Sequence, residues 1–167
     1  MACRAVLFAL TDSDVNYLNE AQGDEALEEF VLETLEDRWD EEWLCELDKA
    51  WDGIHRTLTD GELGWDNGEY PLNHAILGGR QLHEGDDYIF TLVSPAQVAD
   101  VAKALQEINE DKLRERYFKI NRENYGFVPE QVSDEDYEYV AGWFEELKPF
   151  YAKAAAAGRS VLFTVDQ

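Results

Sequence analysis

The chain has 167 residues, and its 37 acidic against 14 basic side chains give a net charge of −23 and a pI near 4.2. A negative field of this size repels phosphate backbones and anionic lipid surfaces, so it disfavours nucleic-acid and membrane-surface binding and favours a basic partner. The same charge is also typical of solubility or of adaptation to high salt. Hydrophobic residues make up 45% of the sequence, which is enough for one folded domain over residues 1–167.

The N-terminal part predicts a strand followed by two helices. Residues 5–10 are compact and apolar, as expected of a buried strand. Residues 11–14 offer N-caps for a short helix that ends at Gly23. Residues 24–38 have apolar side chains at three- and four-residue spacing, and most other positions are acidic. Residues 20–48 hold 13 acids and one base, so this helix must be held by its apolar face.

A third helix is predicted from Trp39 or Glu41 to Thr59. Its apolar stripe covers about 120° of arc, which is normal for a helix that faces a core. The stripe consists of Trp39, Trp43, Leu47, Trp51, Ile54 and Leu58. Residues 61–71 are rich in turn formers and predict an exposed loop, and an exposed Trp39 or Trp65 would mark a binding surface.

The C-terminal half predicts two more strands and three more helices. Residues 88–93 are rich in aromatic and β-branched side chains, as in a strand, and Ser94 with Gln97 forms a capping box for the next helix. Residues 112–122 form a basic helix, expected to be a solvated face that pairs with acidic helices. Ser133 caps a long helix that Pro149 should kink or interrupt near residues 145–148. Residues 160–165 predict a final strand.

Together these elements predict an α+β fold with a small mixed β-sheet of about three to four short strands, including both termini, packed with about six helices. The two terminal strands are expected to pair with the middle strand.

The cysteines and the absence of apolar spans predict a cytoplasmic protein. Cys3 and Cys45 form no Cys-x-x-Cys pair and are expected to be reduced thiols. The apolar run of residues 6–10 is too short for a signal peptide, and no stretch approaches the roughly 20 apolar residues of a membrane span.

Several segments resemble the YfbM-like family of bacterial proteins. They are Leu-Asp-Lys-Ala-Trp at 47–51 with Ile-His at 54–55, Ile-Leu-Gly-Gly at 76–79, and Trp-Phe at 143–144 through to Val-Leu-Phe at 161–163. The resemblance covers most of the chain in the same order. It implies a bacterial, cytosolic, single YfbM-like domain of mixed α and β structure and unassigned function, and it carries over no catalytic residues. The acidic helix of residues 24–36 departs from the family pattern.

One histidine pattern suggests a candidate pocket. His55 and Asp48 are seven residues apart on the predicted third helix and so lie on nearly the same side, and an Asp that orients a His is the arrangement of a general base. With Trp51 and His74 they define the candidate pocket. The alternative, favoured because no nucleophile accompanies the pair, is a boundary histidine hydrogen-bonded to a neighbour. No catalytic residue is assigned.

Other motifs predict no cofactor and no metal site. His55, His74 and His83 lack the short spacing of zinc ligands, so only a fold that brings them together could make a site. Gly78-Gly79-Arg80 is more typical of a turn than of an anion site, and the acids of residues 60–69 do not match a calcium loop.

Three hypotheses for the function remain open. The first is a protein-binding or regulatory module that engages a basic partner through the acidic helix. The second is a small-molecule enzyme with an Asp48/His55-centred pocket. In the third, the charge only reflects the ionic conditions of the host.

Overall fold

The computed structural model describes residues 3–126 and 128–167. In this part of the chain, five strands form one sheet: β1 (Ala5–Leu10), β2 (Leu44–Asp48), β3 (Arg80–Gln81), β4 (Tyr88–Val93) and β5 (Ser160–Asp166). The six α-helices are α1 (Asp12–Glu20), α2 (Asp24–Phe30), α3 (Trp51–Leu58), α4 (Pro95–Gln106), α5 (Glu110–Tyr117) and α6 (Asp134–Ala156). A π-helical segment, Val31–Glu36, extends α2, and 3-10 turns lie at Leu72–His74 and Pro129–Gln131.

The strand order is β2-β1-β5-β4-β3, and every neighbouring pair is antiparallel. The α+β class is therefore confirmed, whereas the predicted mixed sheet of three to four strands was wrong. The two terminal strands pair with each other, with Leu7 opposite Phe163, and only β5 also pairs with β4. The two-residue strand β3 was missed because so short a segment has no periodicity to detect.

The sheet has a helical layer on each face. On one side Leu7 and Ala9 of β1 belong to the larger core, which includes residues of α3, α4 and α6. On the other side Phe8 and Leu10 belong to a smaller core with residues of α1 and α2. Burial on both faces explains why β1 is a continuous apolar run rather than an alternating one.

The predicted third helix was wrong in its first half. Residues 44–48 form a strand in which Cys45 and Leu47 are buried and Glu46 is exposed. Side chains four residues apart, such as Trp43 and Leu47, share a face in a helix and also in a strand, since four is a multiple of the strand period. Pairing with β1 stabilises residues 44–48 as a strand, and the helix begins only at Trp51.

Of the two effects predicted for Pro149, a kink or an interruption, the interruption was wrong, because α6 is continuous from Asp134 to Ala156. Pro149 removes the bond that its N–H would donate to the carbonyl of Glu145, and both residues are exposed, so water can satisfy that carbonyl. Buried Phe144, Leu147 and Tyr151 hold the helix on the core on either side of the proline.

None of the helices among the described residues has the length and apolar character needed to cross a bilayer.

Candidate functional site

Asp48 and Trp51, the first two residues of the candidate pocket, have structural partners. Asp48 ends β2 with a positive φ of 47°, accepts a hydrogen bond from the Tyr139 hydroxyl at 2.8 Å, and lies 3.4 Å from the Arg4 Nε. Trp51 is buried at the start of α3, and its indole N–H donates to the Cys3 carbonyl at 3.0 Å. The prediction that Trp51 belongs to the core is confirmed.

His55 lies inside the protein rather than at the edge of a pocket. It is 1% exposed, and its Nε2 lies 3.0 Å from the Asn67 side-chain oxygen. With the proton on Nε2, Nδ1 is an acceptor, and it has no hydrogen-bond partner in the described structure. Burial lowers the pKa of His55 despite the opposing effects of Asn67 and nearby carboxylates. The residue is therefore a neutral core histidine.

His74 ends the 3-10 turn at Leu72–His74, where its Nδ1 lies 2.7 Å from the Asn73 side-chain oxygen. The Tyr70 and His74 rings form a T-shaped pair with 4.8 Å between centroids. Within residues 3–126 and 128–167, no hydrogen bond joins any two of Asp48, Trp51, His55 and His74. The premise that Asp48 and His55 share a helix face was wrong, because Asp48 belongs to β2 and His55 to α3.

The acidic segment lies over the smaller core. Leu27, Phe30, Val31 and Leu35 face the sheet, and the acidic residues point away from it or lie at its border. The one base of residues 20–48, Arg38, already pairs with the mostly buried Asp14, with 3.3 Å between its Nη2 and the Asp14 Oδ1. The outward acidic side chains therefore have no base of their own segment left to pair with.

A groove of about 450 Å³ separates α1 from the α2 helix and its π-helical extension. We call it the α1–α2 groove, and its lining residues are Tyr17, Glu20, Ala21, Gln22, Ala26, Glu29, Phe30, Glu33 and Thr34. Tyr17 is 59% exposed and stacks on Phe30 with 4.7 Å between ring centroids and 21° between planes. Its outer ring face is thus available to a ligand.

The carboxylates of the α1–α2 groove are uncompensated. Glu20, Glu29 and Glu33 are exposed and form no ion pair within the described residues. Glu29 and Glu33 are four residues apart, a spacing at which like charges cost about 0.2–0.5 kcal/mol. Glu33 also lies in the π-helical segment Val31–Glu36, and π-helical turns are rare and frequent at functional sites.

A second cluster surrounds His83, in the loop between β3 and β4. Its Nε2 lies 2.6 Å from Glu28 Oε1, 3.7 Å from Asp87 Oδ1 and 3.8 Å from Asp24 Oδ2. Its Nδ1 lies 3.2 Å from the Gly85 carbonyl oxygen. The His83 side chain is only 1% exposed. Its ring packs edge-on against the aromatic rings of Tyr88 and Phe90.

Asp24 fixes the loop that carries His83. Its two carboxylate oxygens accept the backbone N–H groups of Glu84 and Gly85, each at 2.9 Å. The bond from Glu84 is the main reason that the pKa of Asp24 is lowered. Burial alone would lower the pKa of His83, but the hydrogen bonds to Glu28 and Gly85 and the charges of Asp24 and Asp87 raise it overall.

The His83 cluster can hold a metal ion. Glu28, His83 and Asp87 each offer one ligand atom, and these three atoms lie within 4.8 Å of one another. Among the described residues, this is the one group of three or more potential metal ligands that lie so close together. The sequence suggests His83 as a candidate ligand only together with the two other histidines. Glu28 is 55 residues away, so only the packing of α2 on the sheet reveals the pair.

The simplest interpretation of the four tryptophans, Trp39, Trp43, Trp51 and Trp65, places them in the core, but Trp65 is 43% exposed in the loop after α3. Leu63 and Tyr70 of the same loop are also exposed, at 40% and 49%. In contrast, Trp39 is half-buried against the smaller core.

The structure has an α+β fold with a five-stranded antiparallel sheet, and comparison with known proteins places the chain in one family. Residues 1–164 match the family described as a domain of unknown function, DUF1877, and the chain belongs to this family. The structure is similar to the crystal structure of YfbM from Escherichia coli, a protein of unknown function, with a TM-score of 0.65 and 20% identity over 97% of this chain and 99% of that one. No curated protein matches the sequence significantly.

Proposed function

We propose that this chain is a protein-binding module whose α1–α2 groove takes a basic segment of a partner protein. The observation that carries the proposal is the exposed face of Tyr17, stacked on Phe30 and surrounded by carboxylates that have no basic partner in the described structure. An arginine or lysine side chain fits this chemistry, because its cation can lie over the Tyr17 ring while it pairs with Glu29 or Glu33.

Arginine is expected to bind better than lysine. A guanidinium is planar, stacks on an aromatic ring and donates two parallel hydrogen bonds to one carboxylate, whereas an ammonium is a strongly hydrated point charge. The net charge of −23 adds long-range attraction, which raises the association rate of a basic partner and weakens as salt is added.

The test uses a fluorescein-labelled oligo-arginine peptide and fluorescence anisotropy at low and moderate salt. We expect the double variant Glu29→Gln/Glu33→Gln to weaken binding by roughly five- to tenfold, since each exposed ion pair contributes about 0.2–1 kcal/mol. The matched control, Glu138→Gln/Glu145→Gln, removes the same charge from exposed positions of α6 and should change binding by less than about twofold.

A second pair of variants tests the aromatic part of the groove. Tyr17→Ala should weaken binding by about three- to fivefold through loss of the cation–π contact. Trp65→Ala removes a comparably exposed aromatic ring outside the groove. Binding in the groove predicts no loss in this variant, and a loss here with none in Tyr17→Ala would place the peptide on the loop after α3 instead. Equal losses in the groove variants and their controls would mean that the peptide senses only the overall charge, as in the salt-adaptation hypothesis, and would refute a specific site.

A further inference from the structure

With Glu28 ionised, the environment of His83 favours a positive charge between its ring and the surrounding oxygens. Nδ1 faces the Gly85 carbonyl at 3.2 Å, and Nε2 faces the Glu28 carboxylate at 2.6 Å. When Glu28 is ionised both partners are acceptors, so a neutral imidazole, which carries one N–H, leaves one ring nitrogen with its lone pair directed at an oxygen. Either a second proton or a metal ion removes this repulsion.

We propose that Glu28, His83 and Asp87 form a binding site for a divalent transition-metal ion of the Zn²⁺ class, in which the metal takes the place between His83 Nε2 and Glu28 Oε1. A mixed set of one imidazole nitrogen and two carboxylate oxygens suits Zn²⁺ better than Mg²⁺ or Ca²⁺, which prefer oxygen ligands alone.

The distances require only small movements. Ligands about 2.0–2.1 Å from a tetrahedral metal are roughly 3.3 Å from one another. The distance of 3.7 Å from Nε2 to Asp87 is already close to this value, and the 2.6 Å from Nε2 to Glu28 has to widen. Glu28 and Asp87 have side chains that are 28% and 65% exposed, so both can rotate and a metal can enter from solvent.

The surroundings of His83 match those of a metal ligand. A ligating histidine usually donates its other N–H to a backbone carbonyl or carboxylate, and the Gly85 carbonyl occupies this position. Asp24 holds the loop through the N–H groups of Glu84 and Gly85 and adds a further negative charge 3.8 Å from Nε2. A Cβ on Gly85 would lie 3.0 Å from Cε1 of the buried His83 ring, so a larger residue at this position would press on the imidazole.

This inference is independent of the proposed peptide binding. The metal site uses Glu28, whereas the α1–α2 groove uses Glu29 and Glu33. Failure of either proposal leaves the other standing, because the two are tested with different probes and different variants.

The experiment is calorimetric titration of the full-length protein with ZnCl₂, together with NMR of the imidazole signals. We expect saturable binding of one ion per chain, with the ring signals of His83 shifted and those of His55 and His74 unmoved. Asp87→Asn should weaken Zn²⁺ binding by about tenfold or more. The matched control Asp86→Asn removes the same charge from the neighbouring exposed residue and should change binding by less than about twofold.

A second matched pair on α2 guards against a local effect of the loop. Glu28→Gln should weaken Zn²⁺ binding as Asp87→Asn does, and Glu25→Gln, on an exposed position of the same helix, should not. Circular dichroism checks that each variant is folded. The proposal is overturned by unshifted His83 signals at saturating Zn²⁺, by equal affinity losses in a variant and its control, or by no saturable binding up to about millimolar Zn²⁺.

Discussion

Gly53 separates the effect of helix propensity from that of packing. It lies within α3, where a substitution by alanine would on propensity alone stabilise the helix by about 1 kcal/mol. A Cβ at this position would, however, lie 2.8 Å from both the Tyr125 hydroxyl and Val140 Cγ2. Carbon atoms do not approach this closely, so the neighbours would have to move.

Tyr125 has little freedom to move, because its hydroxyl donates to Asp136 at 2.6 Å. The same carboxylate accepts the Tyr117 hydroxyl, also at 2.6 Å, so a shift of one ring disturbs a shared acceptor. Overpacking of this kind costs about 1–3 kcal/mol, and we expect Gly53→Ala to lower the free energy of unfolding by that amount.

The matched control is Gly142→Ala in α6, where a Cβ meets nothing within 4 Å. This variant should raise the free energy of unfolding by about 0.5–1 kcal/mol, because only the propensity gain remains. Urea unfolding followed by circular dichroism and tryptophan fluorescence measures both variants. A Gly53→Ala protein at least as stable as wild type would refute the packing around α3 described above.

Two further predictions concern the larger core. Trp51→Ala should lower the free energy of unfolding by roughly 3–5 kcal/mol, and a loss under about 1 kcal/mol in reversible denaturation would place Trp51 at the surface. Because folding lowers the pKa of His55, the unfolded state binds a proton more readily, so the stability that His55 contributes is present above pH about 6.5 and falls as the pH drops below it. An NMR titration should show His55 protonating only below that value, and protonation at or above it would contradict the burial argument.

The sequence predicted correctly those features that depend on residues close together in the chain. Ser94 accepts the Gln97 N–H, and the Gln97 side chain accepts the Ser94 N–H, as the capping box predicts. The apolar segment at residues 5–10 forms a strand, as predicted, and its continuous apolar character fits a strand that is buried on both faces. Such features depend on residues within a few positions of one another.

The predictions were wrong where contacts between residues far apart in the sequence determine the structure. The pattern from Trp39 to Leu47 fits two periodicities, and only pairing with β1, about 40 residues earlier, selects the strand. The contact between His83 and Glu28 spans 55 residues and depends on how α2 packs over β4. Sequence spacing therefore suggested a pair of Asp48 and His55, which have separate partners, and did not reveal the contact between His83 and Glu28.

The uneven distribution of charge supports the proposed peptide binding over a general adaptation to salt. Residues 20–48 make up about a sixth of the chain but contain 13 of its 37 acidic residues. An adaptation to high salt alone would distribute the acidic residues over the whole surface. The helix forms in spite of its own repulsion because Leu27, Phe30 and Leu35 anchor it to the sheet. Its carboxylates then lie on two sides, one toward His83 and one toward Tyr17, and on the Tyr17 side the described residues supply no basic partner.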